Sequence, residues 1–359
     1  MPSVQLGKRT VGLATATYFI ADLAANHDGS LERAIDLIEM AAASGADAAK
    51  FQNFRAQAIV SDYGFRQLDG KQAHQAKWRK TVFEVYQDAA LPWEWTERLK
   101  VACEQAGLDY FSSPYDFESV DMLEPYVAMY KIGSGDINWP EMLLKIASKE
   151  KPVLLATGAS DIGDVQRAVH TIQTVNPNIV LMQCNTNYTG SIDNFRYINL
   201  NVLSSYSAMF PNVVLGLSDH TPGHATVLGA VALGARVIEK HFTDDTAREG
   251  PDHGFSMSPT TWRDMVDRTR ELELALGSAD KRVEENEQDT VVIQRRCLRA
   301  ARDLQCGTVL CRGDIEVLRP AVKDGIAPYE LDRVLGRRLL ADIASGDRLS
   351  WASVGETVV

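Results

Sequence analysis

Two short runs decide how this fold is interpreted: residues 213–221 read VVLGLSDHT, and residues 235–243 read ARVIEKHFT. In each, an apolar segment is followed closely by a histidine, His220 in the first run and His241 in the second. A helix-like, alanine-rich segment separates the runs, so the pattern predicts consecutive parallel strands whose carboxyl ends open at one mouth. Two neutral imidazoles there can hold a divalent ion and leave most of its coordination positions open. The alternative is a pair of buried structural histidines, and the polar neighbours of both argue against it.

Apolar runs alternate with amphipathic or alanine-rich stretches from residue 18 to about residue 280. Eight strand–helix units in succession predict an α/β fold, a closed (β/α)8 TIM barrel. The alternative is an open doubly wound sheet, but no G-x-G-x-x-G motif follows the first run. The predicted strands are Tyr18–Leu23, Ala46–Phe51, Asp109–Ser112, Ala128–Ile132, Pro152–Ala156, Ile179–Cys184, Val213–Leu217 and Arg236–His241.

After the last predicted barrel helix, the sequence becomes charged and poor in apolar residues. We predict a catalytic barrel over residues 1–282, a charged linker over 283–294, and a small β-rich domain over 295–359. About sixty residues bury little surface by themselves, so we expect the small domain to lean on another surface. The long connection 59–94 either covers one end of the barrel, packs on a partner subunit, or decorates the surface.

Composition narrows the classes of function. The net charge is −11, from 48 acidic and 37 basic residues, and this argues against nucleic acid as a partner. No segment supplies the roughly eighteen apolar residues of a membrane-spanning helix, so no membrane partner is expected. The run 11–20 is too short for a signal peptide. Five cysteines without a C-x-x-C pair indicate reduced thiols and a cytoplasmic location.

Two lysines stand inside otherwise apolar predicted strands, Lys50 in the second and Lys131 in the fourth. A buried lysine is costly unless it is paired, so both are predicted to bind an anion such as phosphate or carboxylate. Ser113, Ser134 and Ser218 would donate hydrogen bonds around that anion. Two alternatives are salt bridges to strand-end carboxylates and a Schiff-base lysine.

The remaining polar residues of the mouth suit a polyhydroxylated substrate. The carboxylates of Asp22, Asp136 and Asp252 are left to handle hydroxyl groups and protons. Asn185 and Tyr188 follow the sixth predicted strand, in a segment whose side chains can hydrogen-bond to the hydroxyl and amide groups of a substrate. Two further histidines stay open: His27 either orders the first loop or lines the phosphate site, and His253 either contacts substrate or is structural.

Six ordered motifs resemble the sialic acid (nonulosonic acid) synthase family. They are IADLAANHDGS at 20–30, GADAAKFQ at 45–52, YKIGSGD at 130–136, GLSDHT at 216–221, EKHFT at 239–243 and GPD at 250–252. Residues 295–355 resemble the family's C-terminal SAF (antifreeze-like) domain, including Leu318-Arg319-Pro320.

The resemblance implies that phosphoenolpyruvate condenses with the open-chain aldehyde of an N-acylated mannosamine-type sugar and releases phosphate. It implies a divalent metal, Mn²⁺ first and Mg²⁺ or Co²⁺ otherwise, held by His220 and His241. It also implies a homodimer in which Arg319 of the SAF domain reaches the partner barrel. The implied phosphoenolpyruvate site is Lys50, Ser113, Lys131, Ser134 and Ser218, and the implied sugar site is Asp22, Gln52, Asp136, Tyr188 and Asp252, with Asn185 beside it.

Departures from the family pattern fall mainly on the sugar side. Asp22 and Asp136 stand where glutamate is common in the neuraminate synthases, which retracts each carboxylate by about one C–C bond. Gln183-Cys184-Asn185 replaces a His-Cys-Thr pattern, and Ala156-Thr157-Gly158 replaces Ser-Thr-Gly. We therefore expect unchanged chemistry on a different sugar, with 2,4-diacetamido-2,4,6-trideoxymannose favoured over N-acetylmannosamine.

Two other functions remain as alternatives to this synthase reaction. One is another phosphoenolpyruvate-condensing barrel, of the pseudaminate, deoxy-octulosonate or deoxy-heptulosonate type; the two phosphate-sugar types would need an extra basic pocket. The other is a non-catalytic protein whose SAF unit binds sugar or ice.

Overall fold

The computed structural model describes residues 2–68 and 78–357. It divides into two compact units, residues 1–277 and 278–359, which are described separately below. His74, which the sequence places on an exposed helical face, lies outside the described residues, as does part of the long connection 59–94.

The first unit is a closed barrel of eight parallel strands, which confirms the predicted TIM barrel. The strands follow one another around the barrel in chain order, and the last pairs with the first through His241 opposite Asp22. They are β3 (Tyr18–Asp22), β4 (Ala48–Asn53), β5 (Asp109–Pro114), β6 (Tyr130–Ile132), β7 (Val153–Ala156), β8 (Ile179–Cys184), β9 (Val214–Asp219) and β10 (Val237–His241), preceded by a hairpin of β1 (Ser3–Leu6) and β2 (Arg9–Gly12).

Helices connect successive barrel strands. In the described residues between β4 and β5, where the sequence has its long connection, there are four helices, α2 to α5. In chain order the helices are α1 (Leu31–Ala43), α2 (Ala56–Ile59), α3 (Asp62–Gln67), α4 (Val82–Ala89), α5 (Thr96–Ala106), α6 (Phe117–Leu123), α7 (Pro140–Ala147), α8 (Ile162–Gln173), α9 (Val202–Met209), α10 (Ala225–Ala232), α11 (Pro259–Leu276), α12 (Gln288–Gln294) and α13 (Leu331–Val334).

Helix α1 shows how local sequence sets these boundaries. The Ser30 hydroxyl accepts a hydrogen bond from the backbone N–H of Arg33 and so satisfies one of the free donors at the helix start. Leu37 and Ala41 recur at helical spacing and are buried against the barrel. After the helix, Gly45 adopts φ +93°, a conformation that favours glycine. The chain can therefore turn directly into β4.

The hairpin β1–β2 packs onto the barrel core through its apolar side chains. Val4, Leu6 and Val11 are buried in the same apolar cluster as the strand residues. The hairpin was not predicted from the sequence, because its alternating pattern is only four residues long on each side.

The second unit has its own small core. Its strands pair antiparallel as β11 (Cys297–Ala300) with β12 (Ile315–Leu318), and β13 (Arg337–Leu339) with β14 (Val354–Thr357). Leu298, Leu310 and Leu349 lie at the centre of its apolar cluster. Helix α12 occupies much of the segment predicted as a linker. Within residues 2–68 and 78–357, no helix is long and apolar enough to cross a membrane.

We predict that Leu6→Ala destabilises the barrel by about 2–5 kcal/mol, because it opens a cavity where the Leu6 side chain is 0% exposed. Leu13→Ala is the matched control, since Leu13 is 42% exposed, and it should cost less than about 1 kcal/mol. Urea unfolding followed by circular dichroism measures both. Equal effects of the two substitutions would contradict a buried hairpin.

Candidate active site

The carboxyl ends of the barrel strands bring most of the predicted site residues to one mouth. The predicted residues carried by strands are Asp22, Lys50, Gln52, Ser113, Lys131, Ser218 and His241. Those in the loops just beyond strand ends are Ser134, Asp136, Asn185, Tyr188, His220 and Asp252. Arg319 belongs to the second unit, where it follows β12 and is exposed.

A chain of buried charges links the two lysines. Lys50 Nζ lies 2.7 Å from Asp22 Oδ2 and 3.4 Å from Glu239 Oε1, and Lys131 Nζ lies 3.3 Å from the same Glu239 oxygen. All four side chains are at most 5% exposed. Both lysines are therefore ion-paired, as one sequence alternative proposed, and they converge on one shared oxygen at the mouth.

The same pairing sets the protonation of this cluster. Burial raises the pKa of Glu239, but Lys131 and Lys50 outweigh burial and hold that pKa below its usual range. Burial lowers the pKa of Lys50, and the carboxylates of Asp22 and Glu239 more than reverse that shift. Glu239 and Lys50 are consequently charged at neutral pH, whereas burial raises the pKa of Asp22 above its usual range.

Three serine residues of the predicted site lie on barrel strands or just after them. Among the described residues, Ser113 Oγ is buried and has no hydrogen-bond partner. Ser134 Oγ accepts a hydrogen bond from the Gly158 backbone N–H at 2.9 Å, and Ser218 Oγ lies 3.4 Å from Glu239 Oε1. A buried hydroxyl without a partner is costly, so Ser113 is placed to donate to a bound anion.

His220 and His241 face each other with ring centres 5.4 Å apart. His220 Nδ1 lies 3.1 Å from the carbonyl oxygen of Asn185, which can only accept, so Nδ1 carries the proton and Nε2 keeps its lone pair. Burial lowers the pKa of both rings to about 3, assisted by His241 beside His220 and by Lys50 beside His241. Both imidazoles are neutral at physiological pH, which is the form that ligates metal.

This pair fits a divalent cation. Metal–nitrogen bonds of about 2.1 Å place the ring centres of two ligands within roughly 6.5 Å of each other. Nδ1 of His241 is buried without a hydrogen-bond partner in the described part of the chain, while its Nε2 lies 3.4 Å from Asp22 Oδ2. Within that part, no group of three or more His, Cys, Asp or Glu side chains forms a complete metal site. A bound ion would thus draw further ligands from water or substrate.

The side of the mouth assigned to the sugar is aromatic and acidic. The Tyr188 ring lies 4.5 Å from the His220 ring and 5.3 Å from that of Phe255. Asp252 Oδ2 accepts a hydrogen bond from the Ala25 backbone N–H at 3.1 Å, which ties the last barrel loop to the first. These contacts hold a wall of rings and carboxylates beside the histidines.

Two amides have more specific positions than the sequence indicated. Gln52 Nε2 donates to Asp22 Oδ2 at 3.3 Å, so it helps to hold the carboxylate that also binds Lys50. The Asn185 side chain donates to the Tyr197 carbonyl at 3.4 Å, and its backbone carbonyl orients His220. In this structure Asn185 contributes to the site through its main chain.

A cavity of about 850 Å³ opens beside these residues. Ala25, Tyr188, Pro251 and Phe255 line it from the barrel loops, and Val85 of helix α4 lines it from the long connection. Part of that connection therefore lies at the mouth end of the barrel. The cavity is large enough for a sugar derivative. Its lining also includes six charged residues, Asp28, Arg79, Lys80, Asp88, Arg248 and Glu249.

Several residues of the site escaped the sequence analysis. Glu239 was given no role from the sequence, although its position two residues before His241 puts both on one face of β10. An aromatic cluster of Phe54, Tyr86 and Tyr115, with ring centres 5.2 and 5.9 Å apart, was not anticipated. No periodic signal could have found Tyr86, because its position depends on how the long connection folds back.

The two histidines left open have structural partners. His27 Nδ1 lies 3.1 Å from the Gly29 backbone N–H, and its ring packs edge-on against Trp95 at 5.7 Å, which supports the loop-ordering alternative. His253 is fully buried between the Thr243 hydroxyl at 2.7 Å and the Asp28 carboxylate at 2.9 Å. It links the first and last barrel loops.

We predict that Asp136→Asn stabilises the protein at neutral pH but not in acid. Burial raises the pKa of Asp136 to about 6, whereas an unfolded chain has about 3.9. The folded state binds more protons between these values, so the ionised carboxylate costs stability as pH rises from about 4 to 6. The expected gain over wild type is roughly 1–2 kcal/mol at pH 8, after allowance for solvent screening, and far less at pH 4.

Urea unfolding at pH 4 and pH 8 measures this difference. Asp36→Asn on the exposed face of α1 is the control, and its effect should be equal at both pH values. A gain from Asp136→Asn that does not change with pH would contradict the raised pKa.

Comparison with known proteins identifies the family to which the chain belongs. The NeuB family model matches residues 37–281, and the SAF domain model matches residues 295–355. The N,N'-diacetyllegionaminic acid synthase of Legionella pneumophila is 33% identical over an alignment of 361 residues, which covers 97% of this chain and 97% of that protein. The pseudaminic acid synthase of Campylobacter jejuni is 33% identical over 337 residues, or 92% of this chain and 95% of that protein.

A solved structure shares the architecture. The N-acetylneuraminic acid (sialic acid) synthetase of Leptospira borgpetersenii, in complex with citrate, is 26% identical with a TM-score of 0.69, covering 80% of this chain and 95% of that one. The family model spans more than half of the chain, and relatives at 33% identity extend along nearly all of it. The chain therefore belongs to the NeuB family of sialic, legionaminic and pseudaminic acid synthases and ends in a SAF domain.

Proposed function

We propose that this chain condenses phosphoenolpyruvate with the open-chain form of an N-acylated mannosamine-type sugar and one molecule of water to give a nine-carbon 2-keto-3-deoxy acid and phosphate. The observation that carries the proposal is the convergence of Lys50 and Lys131 on Glu239 beside the histidine pair. Two buried cations at one barrel mouth suit a substrate that bears both phosphate and carboxylate. The names of the relatives agree with this reaction class.

In this proposal the lysines and serines hold phosphoenolpyruvate. Lys50 and Lys131 neutralise its charges, and the Ser113 hydroxyl, which has no partner in the described part of the chain, donates a hydrogen bond to one of its oxygens. Ser134 and Ser218 supply further hydroxyls. Because these groups are buried and already oriented, little reorganisation is needed when the anion binds.

We further propose that His220 and His241 hold a divalent ion, Mn²⁺ first, with Mg²⁺ or Co²⁺ also able to serve. Such an ion would act as a Lewis acid on the sugar aldehyde. The Asn185 carbonyl keeps the His220 Nδ1 protonated and so turns the Nε2 lone pair toward the ion.

We assign the remaining roles in the site to three carboxylates, those of Asp22, Asp136 and Asp252. Asp22 holds Lys50 at 2.7 Å and is the carboxylate next to His241, so it orients both groups. Asp136 and Asp252, whose pKa values burial raises to about 6, can exchange protons with sugar hydroxyls near neutral pH. Gln52, Asn185 and Tyr188 then line the sugar side.

For the sugar itself we propose 2,4-diacetamido-2,4,6-trideoxymannose ahead of N-acetylmannosamine. The cavity wall of Val85, Tyr188, Pro251 and Phe255 offers apolar contacts that a C6 methyl group would use better than a hydroxyl. Relatives named N,N'-diacetyllegionaminic acid synthase come from two bacteria, which supports the same choice. A pseudaminate-type product is the second candidate, because a pseudaminic acid synthase is equally similar.

The test is phosphate release from phosphoenolpyruvate in the presence of Mn²⁺, with each sugar in parallel. We expect release that requires a sugar, and kcat/KM at least ten-fold higher for the diacetamido sugar. A clear preference for N-acetylmannosamine would refute the sugar assignment alone. No release with either sugar, or with the pseudaminate-type precursor, would refute the condensation.

We also propose a homodimer in which Arg319 of each SAF domain completes the site of the partner barrel. Its support is the match of Leu318-Arg319-Pro320 to the family pattern and the exposure of Arg319. Arg319 would contact the N-acyl group of the sugar.

Subunit mixing tests this arrangement. Proteins carrying His220→Ala and Arg319→Ala, each inactive alone, are co-expressed and purified together. If Arg319 acts on the partner, each heterodimer has one intact site, so random assembly restores about one quarter of wild-type activity. If it acts within its own chain, mixing restores none.

A further inference from the structure

We infer that Asp219 and Lys240 are positioning residues: their buried ion pair, on the outer face of the barrel, sets the spacing of His220 and His241 and thereby the affinity of the metal site. This inference rests on the proposed metal role of the two histidines. Neither Asp219 nor Lys240 faces the mouth, because neighbouring residues on a strand point to opposite sides and the histidines point inward.

The position of the pair in the sheet is the first argument. Strand β9 ends at Asp219, and the register between β9 and β10 ends where Lys240 lies opposite Asp219. His220 follows immediately, beyond the last paired residue. His241 still pairs with Asp22 on β3 but has no register partner on β9. The Asp219–Lys240 pair is therefore the last cross-strand link on the side where the two histidines meet.

The hydrogen bonds of the pair enclose the backbone of His220. Lys240 Nζ lies 2.5 Å from Asp219 Oδ2 and donates to the carbonyl of Thr221 at 2.6 Å. The Thr221 N–H donates to Asp219 Oδ1 at 3.2 Å, and its hydroxyl donates to Oδ2 at 2.7 Å. Residues 219 and 221 are thus held to one another and to β10, which leaves the main chain of His220 little freedom.

The network also reaches the helix layer. Thr226, in the first turn of α10, donates its hydroxyl to Asp219 Oδ2 at 2.7 Å and lies 3.0 Å from the Thr221 hydroxyl. Asp219 therefore accepts from four donor groups, three of them on Oδ2 and one on Oδ1. The pair joins β9, β10 and α10 at one point directly behind the histidines.

Stability alone is a weak explanation for such a pair. Lys240 is 1% exposed, and the desolvation of two opposite charges often equals or exceeds their attraction. Apolar residues of similar volume commonly stabilise a fold as well or better. Directional hydrogen bonds, in contrast, define one geometry, and groups behind metal ligands typically change metal affinity by roughly 10- to 100-fold.

The experiment compares metal binding with stability in the full-length protein. Asp219→Asn and the double variant Asp219→Leu/Lys240→Met are measured for Mn²⁺ affinity by titration calorimetry, for the visible spectrum of bound Co²⁺, and for Tm. Thr226→Val removes one hydrogen bond to Asp219 with little change of volume, and it serves if the other variants fold poorly. Asp47→Asn is the matched control, since this carboxylate at the opposite end of the barrel accepts from the Phe19 N–H and pairs with Arg9.

We expect Asp219→Asn and the double variant to bind Mn²⁺ roughly 10- to 100-fold more weakly and to shift the Co²⁺ spectrum. The double variant should nevertheless keep a Tm near wild type, which separates positioning from stability. Thr226→Val should show a smaller loss of affinity, and Asp47→Asn should change neither the affinity nor the spectrum.

Wild-type affinity and an unchanged Co²⁺ spectrum in the double variant or in Asp219→Asn would overturn the inference and leave the proposed function intact. Absence of Mn²⁺ and Co²⁺ binding by the wild-type protein would overturn the metal assignment itself, and the inference with it.

Discussion

The burial of two ammonium groups in the barrel mouth is the constraint on which the rest of the site depends. Lys50 and Lys131 are almost completely shielded from water, and an unpaired buried charge is far too costly for a folded protein to hold. Glu239 lies between them and Asp22 lies beside Lys50, so four strands contribute to one cluster of ion pairs. Because Lys50 and Lys131 share the Glu239 carboxylate, their ammonium groups remain available to a ligand.

The same alternation of side chains that builds this cluster builds a second one behind it. On β9 and β10, Ser218 and Glu239 face inward while Asp219 and Lys240 face the helices. Each histidine comes directly after an outward-facing charge. In a parallel barrel, a residue that faces the site is therefore adjacent in the chain to a residue that supports the strand from outside. For this reason active sites at strand ends can be both exposed to ligand and rigid.

Much of the fold follows from periodicity. All eight barrel strands lie where apolar runs occur, and the cap of α1 lies at the serine that precedes it. The ends of the strands differ from prediction because polar residues such as Gln52 and Asp219 continue the ladder past the apolar run. The hairpin β1–β2 was missed for the opposite reason, since its strands are too short to establish a period.

From the sequence alone one can determine the barrel, the SAF domain, the two lysines and the two histidines, because strand period and motif order are local properties of the chain. Only the tertiary structure decided that Glu239 joins Lys50 to Lys131, that Asn185 acts through its carbonyl, and that Tyr86 joins an aromatic cluster with Phe54 and Tyr115. These contacts join residues distant in the chain, and distances between strands closed into a ring depend on packing that no local pattern encodes.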